Sequence, residues 1–256
     1  MAKNKALVGP ITSASYAAVF RDLRGFFAKT WVWILLLWAE QIALYLVVPH
    51  LPPWMSSDNL TSLPSMLIFA GAAVAWHRKI LVKEPTQGLR AVRLGAREWS
   101  YFAVAFLTWM GYLALSVIVR AFRGNYLPEW WAISLLVILF AYVYAVTRFG
   151  LVFPLLAIDE SAPFSKSWRL LNRRVLRVFF IGLITTIPLS FVVDWIDELS
   201  AAAFDQGQNV VGYVILGASC AVSIMSACVV AGSLSFLLIR FRSPEADPSL
   251  QSQITA

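Results

Sequence analysis

The apolar positions along the chain fall into long unbroken runs, not into the short alternating strands or amphipathic helices of a water-soluble domain. A crossing of a hydrocarbon core takes about 20 residues at roughly 1.5 Å rise each. Six runs meet that length, at approximately 31–49, 62–82, 98–120, 131–157, 175–197 and 210–239. The pattern predicts an all-α integral membrane helical bundle, with six transmembrane helices in a single domain over 1–242. A Ser/Pro-rich tail, 243–256, is expected to be disordered. No stretch between the runs exceeds about thirty residues, so no soluble catalytic domain is expected within the chain. Gly9, Pro10 and small polar residues break the opening segment, which makes a poor secretory core, and no cleaved signal peptide is expected.

Between the runs the period changes to that of amphipathic helices. Phe164, Trp168, Leu171 and Val175 recur at spacings of 4, 3 and 4, with Lys166, Arg169, Arg173, Arg174 and Arg177 off that stripe. The spacing predicts a helix lying in the membrane interface, with Trp168 as its anchor at headgroup depth. Tyr16, Phe20, Leu23 and Phe27 repeat the spacing in an N-terminal helix over about 13–29, where Arg21 and Arg24 lie off the stripe. A weaker case sets Leu89, Val92, Ala96 and Trp99 beside Arg90, Arg93 and Arg97. Such segments serve either as charged anchors that fix topology or as a docking surface for anionic lipid or a partner protein.

Composition agrees with a membrane protein: 59% of the 256 residues are apolar and 14% charged, where soluble domains carry about 25%. The basic residues are segregated. Residues 1–30 hold five, 77–99 six, 158–178 five and the tail two, against Arg120 and Arg123 alone on the opposite side. This predicts cytoplasmic N- and C-termini and cytoplasmic interfacial helices. The net charge of +7 is therefore explained by attraction to anionic lipid headgroups on one leaflet, and no nucleic-acid partner is invoked.

Two charges interrupt the runs. Glu40 lies midway along the first and Arg148 late in the fourth, so the two are a candidate intramembrane ion pair; the alternative is that Arg148 snorkels and Glu40 is protonated or faces a water pocket. Pro154 cannot donate to the Gly150 carbonyl, and a kink is expected there. Thr185, Thr186 and Pro188 predict a local bend whose freed carbonyls the hydroxyls would satisfy. In the last run Ser219, Ser223, Ala227, Ala231 and Ser235 recur every four residues, a helix-packing ridge that suits bundle packing or a dimer seam.

Little else carries chemistry. Cys220 and Cys228 are about 12 Å apart along a helix, too far to bond. His50 and His77 make no ligand cluster, and His77 beside Arg78 reads as the cap of a span end. No nucleotide, zinc-hydrolase or nucleophile-elbow motif is present, so no cofactor, metal or catalytic residue is assigned.

The order of features over 146–180, an arginine and a proline late in a span, an acidic turn, then "SAPFSKSWRLLNRRVLRVFF", resembles a group of uncharacterised bacterial polytopic inner-membrane proteins. It is similar to the membrane domain associated with some glycerophosphodiester phosphodiesterases, in which a Ser-Trp pair, here Ser167 and Trp168, opens a basic cytoplasmic helix. The segment "AVAWHRKIL" at 73–81 looks like one in their stand-alone members. The resemblance implies a bacterial inner membrane and a multi-span helical fold. It carries over no chemistry, because the phosphodiesterase catalytic domain is absent from these 256 residues. The expected function is a non-enzymatic module binding lipid or a partner through its basic helices; the alternative is a transporter or permease subunit using Glu40 and Arg148.

Overall fold

The computed structural model describes residues 8–50, 58–84, 94–123, 129–172 and 174–242. Arg173, the tail 243–256, and Leu89, Arg90, Val92 and Arg93 of the third basic segment lie outside the described residues. The described residues form α-helices and no strand: α1 (Val8–Phe20), α2 (Leu23–Val47, extended by a 3₁₀ turn Val48–His50), α3 (Asp58–Leu81), α4 (Ala96–Arg123), α5 (Glu129–Phe149), α6 (Val152–Ala157), α7 (Pro163–Leu170), α8 (Val175–Asp205) and α9 (Asn209–Arg242).

Among the described residues five segments are long and apolar enough to cross a membrane: Leu23–His50, Ala96–Arg120, Ile133–Ala157, Val175–Asp205 and Asn209–Arg242. Their outward faces are bare hydrocarbon, with Leu107 67%, Phe140 70% and Phe191 70% exposed, which suits lipid and would be a liability in water. The chain is accordingly read as a membrane protein. The expected span 62–82 is helical but is not one of the five. Its apolar stretch is shortened by Ser62, Pro64 and Ser65 at one end and by His77, Arg78 and Lys79 at the other.

The bundle is arranged around α9, which packs against α8, α3, α1, α2 and α6. That is possible because so much of α9 is Gly, Ala, Ser or Cys, which allows backbones to approach closely where lipid offers no hydrophobic drive to association. One core cluster joins Phe26, Trp33, Trp76, Ile224 and Val229. A second joins Ile11, Leu151, Leu155, Leu171, Ile181 and Leu237. α4 and α5 form a peripheral pair, tied by Tyr142 Oη donating to the Thr108 carbonyl at 2.7 Å.

The expected N-terminal amphipathic helix over 13–29 is two helices. Asp22 caps α2, its Oδ1 accepting from the Gly25 N–H at 2.8 Å, and the chain turns at Arg21–Asp22. The stripe of Tyr16, Phe20, Leu23 and Phe27 is thereby divided, and its last three members are exposed. α1 instead buries Ile11, Ala14, Ser15 and Val19 and packs on α8 and α9. The bend in α8 is also satisfied differently from expectation. Pro188 leaves the Ile184 carbonyl without a helical donor, and Tyr16 Oη of α1 donates there at 3.4 Å and to the Thr185 carbonyl at 3.1 Å. Thr185 Oγ1 turns back to the Ile181 carbonyl at 2.8 Å.

The basic segments meet at one end of the bundle. Arg78 Nη1 donates to the Ala157 carbonyl at 2.9 Å and pairs with Glu84, while Arg97 Nε reaches Asp159 Oδ1 at 2.6 Å. Glu160 pairs with both Lys166 and Arg242. The acidic turn is a helix C-cap: the Glu160 N–H reaches the Leu155 carbonyl at 3.0 Å and the Asp159 N–H the Leu156 carbonyl at 3.1 Å, with Asp159 left-handed at φ 57°. The ends of α3, α6 and α9 and the starts of α4 and α7 are thus held together by charge.

Two predictions follow from these contacts. A methyl group at Gly71 of α3 would overlap the indole of Trp33 of α2, so Gly71→Ala should destabilise by roughly 1–3 kcal/mol. Thermal unfolding in detergent measures it, and Trp33→Phe in the same chain should recover part of the loss. The hydrogen bonds from Lys166 and then Arg242 hold the Glu160 carboxyl below its ordinary value of 4.5. Its stabilising contribution is therefore present in full above about pH 4.5 and is lost as pH falls through the lowered pKa. Parent and Glu160→Gln melting points should differ at neutral pH and converge in acid.

Candidate functional site

The basic end carries the most unusual side chain in the bundle. α5 stops at Phe149, the Gly150 N–H bonds back to the Thr147 carbonyl at 3.1 Å, and the chain restarts as α6 with Pro154 inside its first turns. The chain is thus interrupted at Gly150–Leu151, about one turn before Pro154, the residue at which a kink is expected. At this break Ser167 Oγ of α7 donates to the Arg148 carbonyl at 2.9 Å, which anchors α7 beneath the end of α5. Ser167 is wholly buried for this purpose.

The Arg148 side chain is 6% exposed. Its guanidinium lies over the Trp168 ring at 4.1 Å and farther from the Tyr144 ring, 5.9 Å, and Nη1 donates to Tyr144 Oη at 3.2 Å. Nε is buried and has no hydrogen-bond partner. Phe149 packs on Phe164 and Trp168, with ring centroids 5.8 and 5.5 Å apart, so these aromatics form a roof over the arginine.

The expected continuous stripe Phe164, Trp168, Leu171 and Val175 is not one face of one helix. α7 ends at Leu170 and α8 begins at Val175. Leu171 and Val175 are buried in the bundle, whereas Phe164 and Trp168 stay nearly half exposed. α7 itself is nonetheless strongly amphipathic, with Ser167 inward and Lys166 and Arg169 away from the core. Lys166 is engaged by Glu160. Arg174 lies over the Phe241 ring at 4.6 Å and remains exposed, as do Arg169 and Arg177. Among the described residues no carboxylate is within ion-pair distance of Arg169, Arg174 or Arg177.

The candidate ion pair of Glu40 and Arg148 does not form, and this corrects the sequence expectation. Glu40 accepts from Ser65 Oγ at 2.9 Å and from Gln41 Nε2 at 2.9 Å, on the side of α2 that faces α3. The physical reason is depth: Ser65 precedes Arg78 on α3 by nearly four turns, and Arg78 marks the basic end, where Arg148 sits beside α7. Near Glu40, Ser219 Oγ of α9 donates to Asp197 Oδ1 of α8 at 2.5 Å. A cavity of about 140 Å³ is lined by Gln41, Ser65, Asp197 and Ser219. Two carboxylates, an amide and two hydroxyls are therefore close together in the half of the bundle remote from the basic end.

The ridge on α9 is packed in part. Ser219, Ala231 and Ser235 are buried, and Ser223, Ala227 and Ala231 line a cavity of about 450 Å³ that also touches Ala73, Tyr101 and Asp194. Ser235 has a partner that the sequence reading missed: its Oγ lies 2.7 Å from Nδ1 of a completely buried His77, whose Nε2 is 3.4 Å from Tyr101 Oη. His77 is thus an interhelical tie among α3, α4 and α9, not the cap of a span end. The only signal available was a histidine and a serine each on a small-residue helix face, which does not specify a partner. Comparison with protein-family models, with curated proteins and with solved structures finds no match to this chain.

Proposed function

We propose that the chain is a six-span protein of a bacterial inner membrane, with its basic end in the cytoplasm, and that it acts without chemistry of its own by engaging anionic lipid headgroups at that end. The observation that carries the reading is the exposed group Arg169, Arg174 and Arg177, three cations without carboxylate partners among the described residues, beside the exposed ring of Trp168. An interfacial tryptophan with flanking arginines is the chemistry of a headgroup layer. A sixth span is supported by α3, whose 24 residues rise about 36 Å and which runs from Ser65, beside Glu40, to Arg78, at the basic end. The order of Arg148, Pro154, the acidic turn and the Ser167-Trp168 pair supports kinship with the bacterial membrane domains that this pattern resembles.

A second reading, a permease, has its own support in the cavity beside Glu40 and Asp197. In pyranine-loaded proteoliposomes it requires a proton flux that Glu40→Gln abolishes; a parent protein that passes no protons removes that form of it.

Each arginine near an anionic surface contributes about 1 kcal/mol, so replacing Arg169, Arg174 and Arg177 by Gln should weaken phosphatidylglycerol binding at low salt roughly 100-fold. Titration of purified protein in detergent measures this, and unchanged affinity would sink the lipid reading. Thiol labelling that placed residue 170 on the outer side would sink the orientation.

A further inference from the structure

We infer that Arg148, stacked against the Trp168 ring, is a built site for a single phosphate group, distinct from the surface arginines and supplied either by a lipid headgroup or by free phosphate. The inference rests on the reading of this end as the one that meets headgroups. What it adds is a stoichiometric site with a named ligand chemistry.

The guanidinium is deeply buried, yet of its five N–H donors one is accounted for, by Tyr144 Oη, and Nε is sealed from solvent with no acceptor. The acids nearest in sequence are occupied elsewhere: Asp159 by Arg97, and Glu160 by Lys166 and Arg242. Burying a cation without a counter-charge is costly, and an anion at the guanidinium would offset that cost. The ring of Trp168 lies over the guanidinium at 4.1 Å. Stacking engages the face of the guanidinium and leaves the in-plane donors free, and this planar fork matches the oxygens of a phosphate. Trp168 belongs to α7, which Ser167 pins to the Arg148 carbonyl, so the stacked pair is held in place by the fold and does not depend on exposed side chains finding one another.

The test uses the full chain, delipidated in neutral detergent, then given phosphatidylglycerol with a phosphatidylcholine control and examined by native mass spectrometry in 20 and 500 mM ammonium acetate, an estimate of low and strong screening. One phosphatidylglycerol per chain should survive the high salt in the parent and in the Arg169, Arg174 and Arg177→Gln variant, and should fall more than tenfold in Arg148→Gln and in Trp168→Ala. If low-salt binding is lost in the triple variant and no lipid survives high salt in the parent, the surface reading stands and the Arg148 site is overturned. If the triple variant binds normally at low salt while Arg148→Gln does not retain lipid, the Arg148 site stands and the surface reading fails. Competition by millimolar inorganic phosphate would assign the site to the free ion; retention in its presence would assign it to the headgroup. Should Arg148→Gln fail to fold, phenylglyoxal labelling of Arg148 in the unsubstituted protein decides: protection by phosphatidylglycerol or by phosphate supports the site, and labelling unaffected by either overturns it.

Discussion

A helix can be surrounded by five others only if its own surface is thin, and that constraint shapes this bundle. α9 meets α1, α2, α3, α6 and α8. Large side chains come from the neighbours: Trp76 and Ile80 against Gly232, Trp38 against Gly217, and Phe204 against Gly212. In lipid the gain from such contacts is dispersion and hydrogen bonding, since hydrocarbon tails are as apolar as leucine. Close approach of backbones is therefore what makes the assembly cohere, and the small residues of α9 are what permit it.

The same environment penalises unpaired polar groups; many hydroxyls bond back within their own helix, as Ser15 does to the Ile11 carbonyl, and others pair between helices. Trp38 Nε1 donates to the Tyr213 carbonyl at 3.0 Å and Ser200 Oγ to the Gly212 carbonyl at 3.0 Å. His77 and Ser235 join α3 to α9, and Tyr16 supplies the donor that Pro188 removes from α8. These ties fix depth and rotation, which apolar packing alone leaves loosely specified. Among the described residues Thr12 Oγ1, Trp33 Nε1, Trp76 Nε1 and Arg148 Nε are buried without a hydrogen-bond partner, and of these Arg148 alone carries a charge.

The helices were largely legible in the sequence, because a long apolar run has few other solutions in a membrane. The helix interruption falls at Gly150–Leu151, about one turn before Pro154, and of the four-residue repeat Ser219, Ala231 and Ser235 are buried. Relative depth was not legible. Glu40 lies midway along its run and Arg148 late in its own, but hydropathy fixes no level between separate helices, and Ser65 and Trp168 hold the two residues apart in the bundle. The amphipathic stripes misled for a different reason. An apolar period can continue through a break, as it does across Arg21–Asp22 and across residues 171–174, so periodicity recorded the residues but not the turns between them. His77 was misjudged because a buried histidine and a solvated one look alike without the partner that decides between them.

The packing of α1 has a consequence for biogenesis. Its seat is formed by α8 and α9, with Ser15 against Gly232 across more than two hundred residues of intervening chain. Synthesis runs from α1 toward α9, so α1 stays unseated until α8 and α9 have been made. Loop-closure entropy makes contacts of such long sequence separation slow to form, which puts the seating of α1 after the local pairing of α8 with α9.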